Sequence, residues 1–114
     1  MLFTLNLNTN ELCKIIELRL GAGLVEHNLV PELIAVYIEE AGKSFVVNWR
    51  VSMWREVMHG LVVVNENKLH YGNGMYLFGR DFDGNWDTVS QIVCEEAVSK
   101  VRQREVALTK GRFK

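Results

Sequence analysis

The sequence predicts an α+β domain in which a small antiparallel sheet of three to four strands packs with N-terminal helices and a C-terminal helix. Apolar residues recur at helical spacing near both ends of the chain, and β-rich runs with turn residues between them fill its middle. A chain of 114 residues that is 48% hydrophobic suits one compact domain. We therefore expect residues 1–114 to form a single domain with a short basic tail at about 108–114.

The first helix has clear signals at its start and its end. Asn8 is followed three residues later by Glu11, which is typical of a capping box, and apolar residues recur at helical spacing from Leu12 to Leu20. Gly21, the first residue of "GAG", predicts the end of this helix.

A second helix is predicted from about residue 28 or 30 to Gly42. Pro31 would lie in its first turn, and Leu33, Tyr37 and Ala41 belong to an apolar stripe at helical spacing. Gly42 would then be the C-cap.

Residues 44–59 fit two structures. Apolar residues alternate from Phe45 to Met53 as in a strand, yet the same stretch also fits a helix capped by Ser44 and stopped by Gly60. A strand followed by a short helix is slightly favoured. On a strand, Trp49 and Trp54 would point to opposite faces, so that one of them could be exposed.

The second half of the chain predicts a meander and a last helix. β-rich runs at 61–65, 68–71 and 75–79 are separated by turn residues, which indicates antiparallel strands. The last helix should begin at Asp87 as its N-cap, and Glu96 with Lys100 should form an exposed pair on it.

The charges are unevenly distributed. The net charge is −1, but the residues from 100 onward carry six basic side chains against one acidic one, a net charge of +5, so the preceding 99 residues sum to −6. This basic end either contacts an anionic partner or complements the negative end of the last helix and continues as a solvated tail. The acidic body counts against a protein that acts only through nucleic acid.

The compartment is predicted from the cysteines and the termini. Cys13 and Cys94 are far apart and fall on helical patterns as small core residues, so we expect neither a zinc site nor a disulfide. The N-terminus lacks the basic and apolar regions of a signal peptide, and no apolar run is long enough to span a bilayer. A cytoplasmic protein without membrane contact is expected.

The segment "RDFDGNWD" raises the question of a metal site. Oxygen-bearing side chains alternate at Asp81, Asp83, Asn85 and Asp87, as in the first ligand positions of an EF-hand loop. Trp86 occupies the position where that loop needs glycine, and its closing glutamate is missing. We therefore predict a turn that leads into the last helix, with no metal and no cofactor.

Three fragments resemble the ADP-ribosyltransferases. "GNGMYLFG" is similar to the Gly-x-Gly-x-Tyr segment of that family, His59–Gly60 to its His-Gly pair, and "QRE" at 103–105 to its glutamine-x-glutamate element. The resemblance implies a minimal enzyme that binds a nicotinamide nucleotide. About a dozen residues between "HG" and "GNG" are too few for the helix which that fold places there, so an enzyme is the least favoured of the three functions considered.

The function predicted first is a small protein-binding module, of the inhibitor or adaptor kind that phages and mobile elements encode. Trp, Tyr and Arg dominate interface hot spots, and loops held by rigid elements often carry function. The alternative is a protein that binds single-stranded nucleic acid through aromatic side chains and the basic tail. The predicted partner-binding residues are Trp54, Arg55, Tyr71, Tyr76, Arg80, Asp81, Phe82, Asp83 and Trp86. At least one of Phe82 and Trp86 is expected to be exposed, because a short polar loop does not easily bury both.

Overall fold

The computed structural model describes residues 8–73 and 76–112 and shows two layers, a five-stranded antiparallel sheet and a pair of helices. The strand order β1-β2-β3-β4-β5 is a simple meander, and both helices cover the same face of the sheet. The α+β class is confirmed, with five strands instead of three to four. The elements in chain order are α1 (Thr9–Glu26), β1 (Leu33–Ala41), β2 (Ser44–Met53), β3 (Glu56–Val64), β4 (Lys68–Asn73), β5 (Tyr76–Asp81) and α2 (Trp86–Arg112).

The start of α1 is as predicted, but its end is not. The Asn8 side chain accepts a hydrogen bond of 2.8 Å from the backbone N–H of Glu11, which confirms the cap. The helix continues through Gly21 and ends at Glu26. A β-carbon on Gly23 would lie 2.0 Å from the sulfur of Cys94, so this glycine lets α1 approach α2 closely and does not end the helix.

The second predicted helix is wrong, because Leu33–Ala41 form strand β1. The residues that suggested a helical stripe also alternate, so that Val36 points into the core while Leu33 and Tyr37 point away from it. Gly42 has a φ of 63° and belongs to the tight turn between β1 and β2, where the left-handed backbone suits glycine.

The strand preferred for residues 44–53 is confirmed, and the short helix after it is wrong. Trp54 and Arg55 form a two-residue turn with φ values of 54° and 63°, and β3 begins immediately after it at Glu56. Trp49 is fully buried, whereas Trp54 remains 37% exposed at the turn. The first half of β3 was missed, because Glu56, His59 and Gly60 interrupt its β-rich pattern.

Strands β4 and β5 confirm the predicted hairpin, and the cap of α2 lies two residues earlier than expected. Asn85 accepts a hydrogen bond of 2.9 Å from the N–H of Asp87, and Asp83 accepts one of 2.9 Å from the N–H of Asn85. Asp87 lies in the first turn of α2 and forms an ion pair of 2.6 Å with Arg19 of α1. Because α2 runs to Arg112, most of the segment expected as a tail is helical.

Trp49, a fully buried residue of β2, connects the sheet to α2. Its indole N–H donates a hydrogen bond of 3.1 Å to Oε1 of Glu96. Glu96 is half-buried, and Lys100 donates instead to the backbone carbonyl of His59 at 2.5 Å, so these two residues do not form the exposed pair that was predicted. Gly60 lies opposite Trp49 in the register, and a β-carbon there would come within 2.7 Å of the indole ring.

Within the described part of the chain, neither helix has a stretch apolar enough to cross a membrane.

Candidate protein-binding surface

The face of the sheet that the helices leave open is unusually apolar. In an antiparallel sheet with one solvated face, the outward positions are normally polar. Here four large outward side chains are 45–65% exposed, and they come from β1 and β3. They are Leu33 at 65%, Tyr37 at 53%, Val57 at 56% and Leu61 at 45%.

The strand register gathers these four side chains into one surface. Leu33 and Val57 share a row across β2, and Tyr37 and Leu61 share the row four residues further on. Strands about 4.8 Å apart with a rise of about 3.3 Å per residue give a rectangle of roughly 10 by 13 Å. Arg50 lies on β2 in the row between them. We name Leu33, Tyr37, Val57, Leu61 and Arg50 the open-face patch.

The middle of the patch is concave and contains a cation, Arg50, with a carboxylate, Glu39, also on the border of the depression. This depression has a volume of about 220 Å³ and is bordered by Tyr37, Glu39, Arg50, His59 and Leu61. The guanidinium of Arg50 is exposed and forms no ion pair with any residue that the structure describes. The patch therefore offers apolar contacts around a cation that an acidic group could approach.

The turn at Trp54 and Arg55 lies at the end of the sheet next to the row of Leu33 and Val57. Two-residue hairpin turns with positive φ at both positions favour Asn-Gly, because side chains larger than those of Asn and Asp are strained there. Strained backbone is concentrated at functional sites. An exposed tryptophan and an exposed arginine therefore lie directly beyond the row of Leu33 and Val57.

The structure divides the predicted partner-binding residues between the two ends of the sheet. Trp54 and Arg55 lie at one end. The connection with Asp81, Phe82 and Asp83 lies at the other, since the N–H of Phe82 bonds to the carbonyl of Asn67 in the β3–β4 turn. Strand β3 joins these ends with nine residues, about 27–30 Å. These residues therefore do not form one contact surface.

The aromatic residues of the connection after β5 belong to the core, contrary to the expectation that one would be exposed. Phe82 is only 7% exposed, and Trp86 is half-buried against the core. The Trp86 ring meets Phe45 at 6.0 Å and Phe82 at 6.2 Å, both edge to face. The backbone of the connection stays paired through Asn67 and the helix cap, which is why it can bury both rings.

The remaining predicted residues lie along β4 and β5. Tyr71 stacks on Phe78 on the helical side of the sheet, with ring centroids 5.7 Å apart, and Arg80 is exposed on that side. Asp81 pairs with Lys68 at 2.6 Å, and this ammonium holds the pKa of the carboxyl below its ordinary value. The side chain of Tyr76 is outside the described part of the structure.

The described residues contain no group of three or more His, Cys, Asp or Glu side chains that could hold a metal. Of the fragments that resemble the ADP-ribosyltransferases, His59–Gly60 lie on β3 and residues 103–105 lie on α2. The "GNG" fragment is partly outside the described residues.

The sequence did contain a signal for the open-face patch. Leu33 and Tyr37 occupy odd positions, and Val36 and Ile38 occupy even positions. The same residues also fit the apolar stripe of a helix. A strand interpretation would have placed both on one face. Only the register with β3 shows that Val57 joins them, because sequence spacing does not determine which strands are neighbours.

Comparison with known proteins adds no functional information, since the chain matches no protein-family model, no curated protein and no solved structure.

Proposed function

We propose that the protein is a small protein-binding module that holds its partner on the open-face patch, with Trp54 at the edge of the contact. The observation that carries the proposal is the contiguous exposure of Leu33, Tyr37, Val57 and Leu61 on the open face of the sheet. Exposed apolar side chains gathered in one patch mark interaction sites, whereas single ones are ordinary.

The size and chemistry of the open face suit a protein partner. Five strands about 4.8 Å apart and up to ten residues long give a face of roughly 700 Å², near the 800 Å² that each side of a standard interface buries. The patch and turn contain Tyr37, Arg50 and Trp54, the three residue types that dominate hot spots. The partner we infer presents apolar side chains around a carboxylate that approaches Arg50. An inhibitor or adaptor in the cytoplasm, of the kind that phages encode, remains the biological role we propose.

The test compares variants of matched chemistry on the two sides of the molecule. Leu61→Glu places a charge in the open-face patch, and Leu18→Glu places the same charge at a leucine of α1 that is 76% exposed and lies on the other layer. Each tagged variant is passed over a host extract, and bound proteins are quantified by mass spectrometry. We expect one or more partners to be retained by the wild type and by Leu18→Glu but lost by Leu61→Glu. Identical binding by all three proteins would contradict the proposal.

Binding to single-stranded nucleic acid is the alternative. Tyr37, Trp54 and Phe78 are exposed rings on which bases could stack, whereas the net charge of −6 on the first 99 residues counts against phosphate binding. Fluorescence anisotropy with a 20-nucleotide oligothymidine separates the two functions. Micromolar affinity that falls steeply with salt would favour the alternative.

A further inference from the structure

A second concave site lies on the helical side of the sheet, where α2 passes over β4 and β5. It has a volume of about 310 Å³, at the lower end of the range for ligand pockets. Tyr71, Phe78, Glu96, Ser99 and Lys100 line it. The site lies in a different layer from the open-face patch, so nothing about it depends on the proposed function.

One wall of this cavity is aromatic. Tyr71 and Phe78 are opposite each other on β4 and β5, with their rings stacked at 28° between planes. Phe78 is 51% exposed, although it faces the helical layer. Two rings side by side give a flat apolar surface, which is suited to a ring or a short hydrocarbon chain.

The half-buried Glu96 is one of the residues that line the cavity. Its Oε1 atom accepts the hydrogen bond from Trp49, while Oε2 is buried and makes no hydrogen bond of ordinary distance and angle to a described residue, although the backbone N–H of Gly72 is close enough to lower the pKa of the carboxyl. Buried polar atoms are rarely left without a partner, and one that is calls for an explanation such as a ligand. Burial raises the pKa of Glu96, and the Trp49 hydrogen bond, the charge of Lys100 and the N–H of Gly72 offset only part of this effect.

The nearest ammonium group does not neutralise this carboxylate by direct contact. Lys100 donates to the carbonyl of His59 and lies 5.3 Å from the centre of the Trp49 ring, so it is held by the neighbouring strands. Glu95 adds a second carboxylate at the rim, and the cavity therefore carries one more negative than positive charge. Its electrostatics favour a cationic ligand.

We propose that this cavity binds a small primary amine with a flat apolar body. The ammonium pairs with the carboxylate of Glu96, with Glu95 beside it at the rim, and the body lies against Tyr71 and Phe78. Because Trp49 already occupies Oε1 of Glu96, a single-point ammonium fits this carboxylate better than the two-pronged guanidinium or amidine group. The volume admits one ring with a short arm.

The experiment is isothermal titration calorimetry of the full chain with two probes of the same shape. 2-Phenylethylamine carries the ammonium, and 2-phenylethanol replaces it with a neutral hydroxyl. We expect the amine to bind at least tenfold more tightly than the alcohol, because the charge-assisted hydrogen bond forms only with the amine. Equal affinities for both probes, or no measurable binding of either, would overturn the proposal.

Two variants and one control locate the binding. Glu96→Gln keeps the shape of the side chain and an acceptor for Trp49 but removes the negative charge. It should lower the affinity for the amine at least tenfold. Glu66→Gln makes the same change of charge at an exposed turn residue away from the cavity and should bind as the wild type does. Phe78→Ala changes a half-exposed residue, so the variant should fold, and it should lower the affinity for both probes about equally. Retention of amine affinity in Glu96→Gln or in Phe78→Ala would place any binding elsewhere and contradict the assignment.

Discussion

The contact between Trp49 and Gly60 allows a strong prediction about stability. A β-carbon on Gly60 would lie 2.7 Å from two atoms of the Trp49 indole, whereas ordinary contacts begin at 3.4 Å. Gly60→Ala therefore forces the fully buried ring to move by about 0.7–1 Å in a close-packed core, and such overpacking typically costs about 1–3 kcal/mol. The same movement would stretch the 3.1 Å hydrogen bond to Glu96 out of range, which adds about 1 kcal/mol.

An opposing effect reduces the expected loss. Alanine in a strand is favoured over glycine by about 0.5–1 kcal/mol, so the net destabilisation of Gly60→Ala should be about 1–3.5 kcal/mol. Gly79→Ala is the control, because a β-carbon there meets only His70 and the Leu69 carbonyl at 3.6 Å or more. It should leave stability unchanged or raise it slightly.

Urea unfolding followed by circular dichroism measures these changes in the free energy of unfolding. A double-mutant cycle supplies the decisive comparison, because Trp49→Leu removes the indole atoms that the new methyl group would meet. In that background Gly60→Ala should cost less than 1 kcal/mol. The reasoning would be refuted if Gly60→Ala were as harmless as Gly79→Ala, or if its cost were the same with leucine at position 49.

Three further predictions concern α2 and the segment before it. Phe82→Ala should lower the free energy of unfolding in urea by about 3–5 kcal/mol, because this ring is buried. A decrease below 1 kcal/mol would contradict the burial of Phe82. Asn85→Ala should cost about 1 kcal/mol by removing the cap of α2, and a fully retained melting temperature would show that Asn85 is not the cap. The effect of Glu96→Gln on the melting temperature should depend on pH. The pKa of this carboxyl is raised in the folded protein above its ordinary 4.5, so the wild type loses stability as the pH rises from 4.5 through the raised value. The melting temperature of the variant relative to the wild type should therefore increase over that pH range, and a constant difference would contradict the raised pKa.

The sequence predicted the parts of the fold that local chemistry determines. Asn8 with Glu11 defined the start of α1, and the β-rich runs after position 60 defined a hairpin. The predicted end of α1 was wrong because Gly21 was interpreted as a stop, whereas the helix continues past it to Gly23, which allows the close approach to Cys94. Helix packing is a tertiary contact that outweighs local propensity.

The candidate site was less predictable, because it depends on strand register. Trp54 was selected from its residue type and is exposed, but Phe82 was selected on the same grounds and is buried. Leu61 was assigned correctly to a strand, yet its place in a patch follows only from its pairing with β2 and, through it, with Tyr37. Pairings between strands involve residues far apart in the chain, and periodicity does not encode them.

The most direct test of the open-face patch is the dissociation constant of a purified partner for two single variants. Tyr37→Ala truncates an aromatic residue of the patch, and Arg80→Ala truncates an exposed residue on the helical side of β5 that the sequence had suggested. Both are half-exposed or exposed, so circular dichroism should show each to be folded like the wild type. If the open face binds the partner, Tyr37→Ala should weaken binding at least tenfold while Arg80→Ala changes it less than threefold. Loss of affinity in Arg80→Ala with unchanged affinity in Tyr37→Ala would contradict the open-face patch as the binding surface.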